Sequence, residues 1–328
     1  MTGLDSHTVS DGTVVPMTEL AERVDQVIRD GRAPGLHGLV VIRGGETVLE
    51  RYGQGEDFKW NDSIGHVVFD RDTLHDIRSV TKSITALVYG IALGKGLVPD
   101  PDESLMAAFP EYPDLADSKR NLTVAHALTM TLGLEWDESV PYTSPANSEI
   151  AMEMAPDRYR YVLERPFVVE PGTRWDYCGG ASALIGRLIV KGVGTTLDAF
   201  ARDTLFDPLG ISFEWMAGED GVASSASGLR LAPRDLAAIG QLVLEGGRGV
   251  VPGEWIMRML TRHVRREDGS GYGYQWYLGD GWFAGFGNGG QQLFVVPEKE
   301  LVVATAAGDY NDFAQSSAAA VLDAVLSE

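Results

Sequence analysis

The stretch "IRSVTKSITALVYG", residues 77–90, holds a serine and a lysine three positions apart at what reads as the start of a helix. On a helix, positions i and i+3 share a face, so Ser79 and Lys82 can meet while Val80 and Thr81 turn elsewhere. Ile84, Leu87, Val88 and Ile91 follow as an apolar face that predicts a buried helix. A lysine there meets two effects that disfavour its charge: desolvation and the positive end of the helix dipole. To act as a base near neutrality it must fall from about 10.4 by roughly three units, about 4 kcal/mol of differential interaction. Burial can supply that, and a serine activated by a neutral lysine is an established form of covalent catalysis. The same spacing also arises by chance, and a serine at a helix start often serves only as a cap.

Working outward, residues 17–30 carry Leu20, Val24, Val27 and Ile28 at helical spacing. "GLHGLVVIRGGETVLERYG" (35–53) reads as a β-hairpin turning at "RGGE", and "QQLFVVPEKELVVATAAG" (291–308) as a second one turning at "PEKE". A helix over "FAQSSAAAVLDAVLS" (313–327) follows. Between the ends the chain reads as mostly helical and loop-like. "LTVAHALTMTLGL" (122–134), "GASALIGRLIVKGVG" (180–194) and "PRDLAAIGQLVLEGGR" (233–248) show helical spacing with a nearby glycine stop. Strands at both ends around a helical middle predict an α+β architecture: one sheet made from the two chain ends and flanked by helices, with a mainly helical lobe inserted. The expected organisation is a tail over 1–16 and a single domain over 17–328. Its α/β lobe covers about 17–75 and 235–328, and its helical lobe about 76–234.

Three segments resemble, in order, the motifs of the serine β-lactamase and penicillin-binding-protein superfamily. The resemblance is to its class C-like branch, with esterases and 6-aminohexanoate-oligomer hydrolases. "HDIRSVTKSITALVYGIALGKGLVPDPDESLMAAFPE" (75–111) is similar to the nucleophile helix and following loop, and "LTVAHALTMTLGLEWDE" (122–138) to the segment between the first two motifs. "EPGTRWDYCGGASALIGRLI" (170–189) has the lead-in and apolar helix of the second motif, which implies Tyr177 as the family's tyrosine. Tyr142, in "PYTSP", is a competing tyrosine without those flanks. "GFGNGGQQLFVVPE" (285–298) stands where the family carries Lys-Thr-Gly or His-Gly-Gly, and "GLRLAPRDLAAIGQLVLEGGR" (228–248) is similar to the helix before the last strands.

The resemblance covers residues from about 17 to the end and implies a two-lobed domain with Ser79 at the junction. Its implied chemistry is ester or amide hydrolysis through an acyl-enzyme. Ser79 is the nucleophile, Lys82 its base and Tyr177 a proton shuttle, a role worth roughly 10²- to 10⁴-fold. The backbone amides of Ser79 and Gln291 would form an oxyanion hole, where losing one donor costs about 3 to 4 kcal/mol. Asn288, Gly289 and Gly290 would line the substrate site, the glycines allowing close backbone approach. Trp282 and Phe286, in the aromatic run 271–286, are candidates for an acyl pocket as well as for strand packing. No metal or cofactor is implied.

Two positions depart from the motifs. Gly179 stands in the place of an Asn or Ser that would hydrogen-bond substrate or Lys82, and Asn288 replaces the cation of the third motif. Without that cation, strong binding of penicillin carboxylates is harder to justify. A D-alanyl peptidase or β-lactamase with the same machinery, and a catalytically silent binding protein of the same fold, stay open as alternatives. No glutamate matching the class A water-activating motif is apparent.

The remaining composition narrows partners. The 328 residues carry 47 Asp+Glu against 27 Lys+Arg, a formal charge of −20. That field repels phosphate backbones, so nucleic acid is not an expected partner, while a small neutral or cationic ester or amide is. No apolar run is long enough to span a bilayer, and the N-terminus has no leader pattern, so the expected location is cytoplasmic. Cys178 is the single cysteine, which excludes an intrachain disulfide. The six histidines, His7, His37, His66, His75, His126 and His263, show no metal-ligand spacing. Gly285, Gly287 and Gly290 also fit Gly-x-Gly-x-x-Gly, but strand residues rather than a helix follow, which excludes a dinucleotide site. Oligomeric state is left open.

Overall fold

The structure, a computed structural model, describes residues 17–218, 220–312 and 316–327; the expected tail 1–16 lies outside the described residues, as do the first three positions of the segment 313–327. Strands β1 (Leu36–Arg43) and β2 (Glu46–Tyr52) form the first expected hairpin. They turn through Gly44 and Gly45 at φ +58° and +80°, the left-handed pair that a two-residue hairpin turn requires. The chain continues into a second, separate hairpin of β3 (Gln54–Lys59) and β4 (Asp62–Val68), whose strand character was not read from the sequence. A small three-stranded sheet then joins β5 (His75–Asp76), β6 (Phe213–Trp215) and β7 (Leu229–Leu231) in the order β5-β7-β6. Near the far end come β8 (Val264–Arg265), β9 (Gly271–Tyr272), β10 (Tyr277–Leu278), β11 (Phe283–Gly287), β12 (Gln291–Val296) and β13 (Leu301–Ala307). With β1 and β2 they make one antiparallel eight-stranded sheet, ordered β2-β1-β13-β12-β11-β10-β9-β8.

Both ends of the chain therefore meet in one sheet, through the β1–β13 pairing. Its central strands are buried on both faces, and the period of two decides which residue serves which layer. Leu39, Val41, Phe294, Val296, Leu301 and Val303 pack with the terminal helices Met17–Arg29 and Ser317–Leu326, through Leu20, Val24, Val321 and Leu322. Their neighbours Val40, Ile42, Leu293, Val295, Val302 and Ala304 join the main core with helices Val80–Gly94 and Pro233–Leu244. Each fully buried aliphatic side chain contributes about 1.5–3 kcal/mol.

The helix Val80–Gly94 is buried along its length from Val80 to Ala92, polar positions included. Those positions are satisfied by neighbouring segments, as burial demands. Ser83 Oγ donates to the Gln275 carbonyl (2.7 Å), Thr85 Oγ1 to that of Ser225 (2.9 Å), and Thr81 Oγ1 accepts from Leu229 N–H (3.1 Å). The helix Val80–Gly94 is thus clamped between the strand side and the segment 224–229.

The expected helix over 122–134 is confined to Val124–Leu128. Gln275 ends it: its N–H donates to Leu128 O, and its side-chain amide donates to the carbonyls of Ala127 and Leu128. Met130 then takes φ +57° and leaves the helix path. Among the described residues, no helix is long and apolar enough to cross a membrane.

Candidate active site

Ser79 is the residue before the first turn of Val80–Gly94, in right-handed helical conformation at φ −67°, and its side chain makes no capping bond. Its hydroxyl is therefore free for another partner. Lys82, 2% exposed, reaches back one turn and places Nζ 3.0 Å from Ser79 Oγ. The same Nζ lies 2.9 Å from the Ala226 carbonyl and 3.4 Å from Glu149 Oε2. Nζ is thus held among three oxygen acceptors, the Ser79 hydroxyl, the Ala226 carbonyl and the Glu149 carboxylate.

Arg78, just before Ser79, sits at φ +48°. A non-glycine residue in that region stores strain of about 1–3 kcal/mol unless its surroundings hold it. Here they do. Asp76 accepts from Arg78 N–H (3.1 Å) and lies 3.2 Å from its guanidinium, which also donates to the Trp60 carbonyl and covers the Tyr310 ring at 4.5 Å. Burial pushes the Asp76 carboxyl upward, with Arg78 opposing.

Tyr177 approaches from the other side. Asp176 N–H donates to Met130 O and Gly172 N–H to Thr131 O, so the irregular turn that shortens the 124–128 helix is what docks the second-motif segment. The Tyr177 ring lies 5.0 Å from Lys82 Nζ, in an aromatic cluster with Trp175, Tyr272, Tyr277 and Phe286. Burial holds its phenol well above the usual range, while a hydrogen bond with Ser79 pulls the other way. It is a phenol, a proton donor, at neutral pH. The adjacent Cys178 is buried, its thiol is pushed up by burial, and its Sγ accepts from Ala181 N–H (3.3 Å) at the start of helix Gly179–Val193. It is a structural cap with no thiolate character.

The third-motif strand runs beside the segment that carries Ser79. A Cβ on Gly287, opposite Gln291 in the β11–β12 ladder, would sit 2.6 Å from the Ile77 carbonyl oxygen, and one on Gly285 2.9 Å from Ser83 Oγ. Among the described residues, Ser79 N–H donates to no backbone carbonyl, as an oxyanion donor must not. Gln291 turns its side chain into the sheet, donating to Ala307 O (2.6 Å) and accepting from Ala307 N–H (3.2 Å). Gly289 is not among the residues lining the cavity; at φ +93° its missing Cβ makes room for the Tyr310 ring, 2.5 Å away. Gly290, at φ +87°, is likewise crowded by Ala307 and Ala318. Asn288 does face the cavity, its amide paired with Asn311 at 3.0 and 2.9 Å. Trp282 and Phe286 do not line it. Trp282 stacks on Phe294 (4.9 Å between centroids) and Phe286 meets Tyr277 edge-on (5.2 Å), because alternation along β11 turns them into packing layers.

Two carboxylates without any local sequence signature complete the site. Glu149 is 3% exposed and follows Asn147, whose Oδ1 accepts from the N–H groups of Glu149 (3.0 Å) and Ile150 (3.4 Å). Glu138 accepts from Trp136 Nε1 (2.6 Å), Gly179 N–H (2.6 Å) and Tyr142 Oη (2.7 Å). Burial first, and the Glu149 charge second, push the Glu138 carboxyl up to about 7. Tyr142, the competing tyrosine, is therefore a carboxylate's partner and is itself held far above the usual range.

Ser79, Arg78, Glu149 and Asn288 share a cavity of about 630 Å³ with Trp60 and Tyr142, a volume suited to a small ligand. Three carboxylates, Asp62, Glu149 and Glu153, line it against one cation, Arg78.

Away from the cavity, the chain brings together three residues whose sequence spacing hid them. His37, Asp57 and His75 are all buried, with potential ligand atoms within 4.8 Å of one another. They are engaged among themselves: His37 Nδ1 and His75 Nε2 are 2.9 Å apart, His75 Nδ1 faces the Asp76 carbonyl (3.1 Å), and Tyr310 donates to Asp57 (3.1 Å). The Arg230 guanidinium, 3.6 Å from Asp57, already neutralises the carboxylate, which leaves a dication poorly accommodated.

The comparisons with known proteins accord with this geometry. Residues 20–326 match the Beta-lactamase family model. The chain is 23% identical over 327 residues to the 6-aminohexanoate-dimer hydrolase of Paenarthrobacter ureafaciens, covering 89% of this chain and 76% of that protein. Among solved structures it is similar to EstCE1, a hydrolase with promiscuous acyltransferase activity, at a TM-score of 0.77 and 18% identity, over 94% of this chain and 99% of that one. It also resembles the octameric penicillin-binding protein homologue from Pyrococcus abyssi, with TM-score 0.69, 19% identity and coverage of 95% and 77%. At those identities the structural likenesses speak for the fold. The family match runs through all three motif segments, and the chain belongs to the beta-lactamase family.

Proposed function

We propose that this beta-lactamase-family hydrolase cleaves a small ester or amide through an acyl-enzyme on Ser79. The observation that carries the reading is the 3.0 Å contact between Lys82 Nζ and Ser79 Oγ, with Ser79 in the wall of an open cavity. Ser79 Oγ attacks the substrate carbonyl carbon as its proton passes to the Lys82 amine. The carbonyl oxygen becomes an oxyanion, for which the amides of Ser79 and Gln291 are the proposed donors. Tyr177, kept as a phenol, donates to the leaving nitrogen or oxygen as its bond to carbon breaks, and recovers a proton from Lys82. Water then attacks the acyl carbon, gives up one proton to the same amine, and Ser79 recovers its own as the acyl–Oγ bond breaks. One water is consumed per turnover.

The relatives include a 6-aminohexanoate-dimer hydrolase, which supports amides as a substrate class. With Glu149 paired to Lys82 and Glu153 to Arg158, the exposed Asp62 carboxylate in the cavity wall and the side-chain amide at Asn288 favour neutral or amine-bearing substrates over carboxylate-bearing antibiotics. The test is a panel of p-nitrophenyl esters and short amides, run beside a penicillin, on wild type and Ser79→Ala. Hydrolysis of esters or amides by wild type alone, with penicillin turnover far behind, is the expected result. A wild type inert on the whole panel would favour a silent binding protein.

A further inference from the structure

The position two residues after Tyr177 is a glycine, and the space it leaves is filled. A Cβ on Gly179 would lie 2.2 Å from Glu149 Oε2, 2.7 Å from Cδ and 3.0 Å from Cγ, so any side chain there would evict the carboxylate. Gly179 has no left-handed backbone that would explain the glycine otherwise. The same Oε2 is the atom 3.4 Å from Lys82 Nζ, both side chains being almost wholly buried (4% and 3% exposed). Glu138 is tied by three donors, whereas Lys82 is the polar partner of the Glu149 carboxylate among the described residues. Glu149 also lines the cavity beside Ser79.

We propose that Glu149 is the positioning residue for Lys82 and its proton partner, occupying through the Gly179 gap the place of a second-motif side chain. The inference rests on the hydrolase reading above. It resolves a difficulty in that reading, because a lysine 3.4 Å from a buried carboxylate is no free base while it stays an ammonium. Moving one proton from Lys82 Nζ to Glu149 Oε2 turns the ammonium–carboxylate pair into an amine and a carboxylic acid. The pair's total charge does not change, so no proton need go to bulk solvent. The amine then accepts the Ser79 proton as Oγ bonds to the substrate carbon. Glu149 gives its proton back once the leaving group, and later Ser79, has been reprotonated. The groups facing this pair are Glu138 on the 136–138 segment, Glu153 one turn further along, Tyr142, and Tyr177.

The test follows fluorophosphonate labelling rate and ester kcat/KM from pH 4 to 10 in wild type, E149Q, G179A and the double variant E149A/G179N, with E149A as its reference. E149Q and G179A perturb the pair independently, one by removing the charge and the other by displacing it, so a folding failure in one leaves the other informative. In both, the rate at pH 7 is expected to fall on the order of a hundredfold. The acid limb should move to higher pH, because Lys82 must then lose its proton to solvent. E149A/G179N is expected to recover at least about tenfold over E149A by placing an amide oxygen near the emptied volume. If wild type labels at Ser79 while E149Q and G179A keep its rate, or lose rate with an unmoved acid limb, Glu149 is structural and the inference fails with the hydrolase reading intact. If wild type neither labels nor hydrolyses, the hydrolase reading itself fails.

Discussion

Two charged clusters are buried to nearly the same depth, and they differ in what they face. Lys82 and Glu149 are 2% and 3% exposed; Asp57, His75 and Arg230 are 0%, 1% and 3% exposed. Tyr310 touches the second through Asp57 and the first region through Arg78. Yet the Lys82 cluster ends on a serine hydroxyl in the wall of a cavity, while the Asp57 cluster is closed by Phe69, His37 and Tyr310. Its polar groups are also loosely paired, with Asp57 Oδ2 and Arg230 Nε and Nη1 lacking a hydrogen-bond partner. Burial alone therefore does not mark a catalytic group. Burial beside a nucleophile that a substrate can reach does.

The contrast can be broken by truncating one cation in each cluster. Lys82→Met should cost on the order of 10³-fold in ester hydrolysis and labelling rate, and it also costs stability, because it leaves the buried Glu149 carboxylate without its cation. Arg230→Met should cost stability alone. It leaves the Asp57 carboxylate buried without its cation, which costs about 3–5 kcal/mol of stability, read as a fall in Tm, while folded protein still labels at Ser79. Equal loss of activity in both variants would mean that the two clusters act as one network.

A smaller effect sharpens the same contrast through pH. Burial lowers the His75 pKa to about 4, so between the unfolded value near 6.5 and about 4 the unfolded chain binds a proton the folded one refuses. Folding stability therefore drops as pH falls through that window. Glu138 has the opposite sign: with its pKa raised to about 7, the folded chain holds a proton that the unfolded chain releases near 4.5. Its contribution is present at low pH and is lost as pH rises toward 7. Each is worth on the order of 3 kcal/mol, so Tm from pH 4 to 8 should fall more steeply on acidification in Glu138→Gln than in wild type, and less steeply in His75→Gln. Parallel profiles in all three would contradict both assignments.

How much of this was legible in the sequence follows from how local each feature is. Ser79 and Lys82 lie three residues apart on one helix, and the β1–β2 and β12–β13 hairpins declare themselves as β-rich runs broken by the turns "RGGE" and "PEKE". Tyr177 was reachable because its lead-in and following helix travel with it in sequence. Glu149 and Glu138 were not, since Glu149 meets Lys82 across 67 positions and stands in a six-residue helix with no periodic signal. The nearest hint was Asn147 as a helix cap, together with the glycine at 179, which reads as a lost side chain until the carboxylate filling its space is seen. The short helix at 124–128 was overestimated for a related reason: Gln275, nearly 150 positions away, terminates it. Trp282 and Phe286 were placed near the substrate because they precede the third motif, and the two-fold alternation of β11 sends them into packing layers instead.

The most direct measurement of the central claim is intact-mass and peptide analysis after a serine-directed fluorophosphonate, with wild type beside Ser79→Ala and Lys82→Met. The expected result is one adduct per chain on the peptide containing Ser79, absent in Ser79→Ala and formed about 10³-fold more slowly in Lys82→Met. An adduct on another residue, or equal labelling of Ser79 with and without the lysine, would contradict the account.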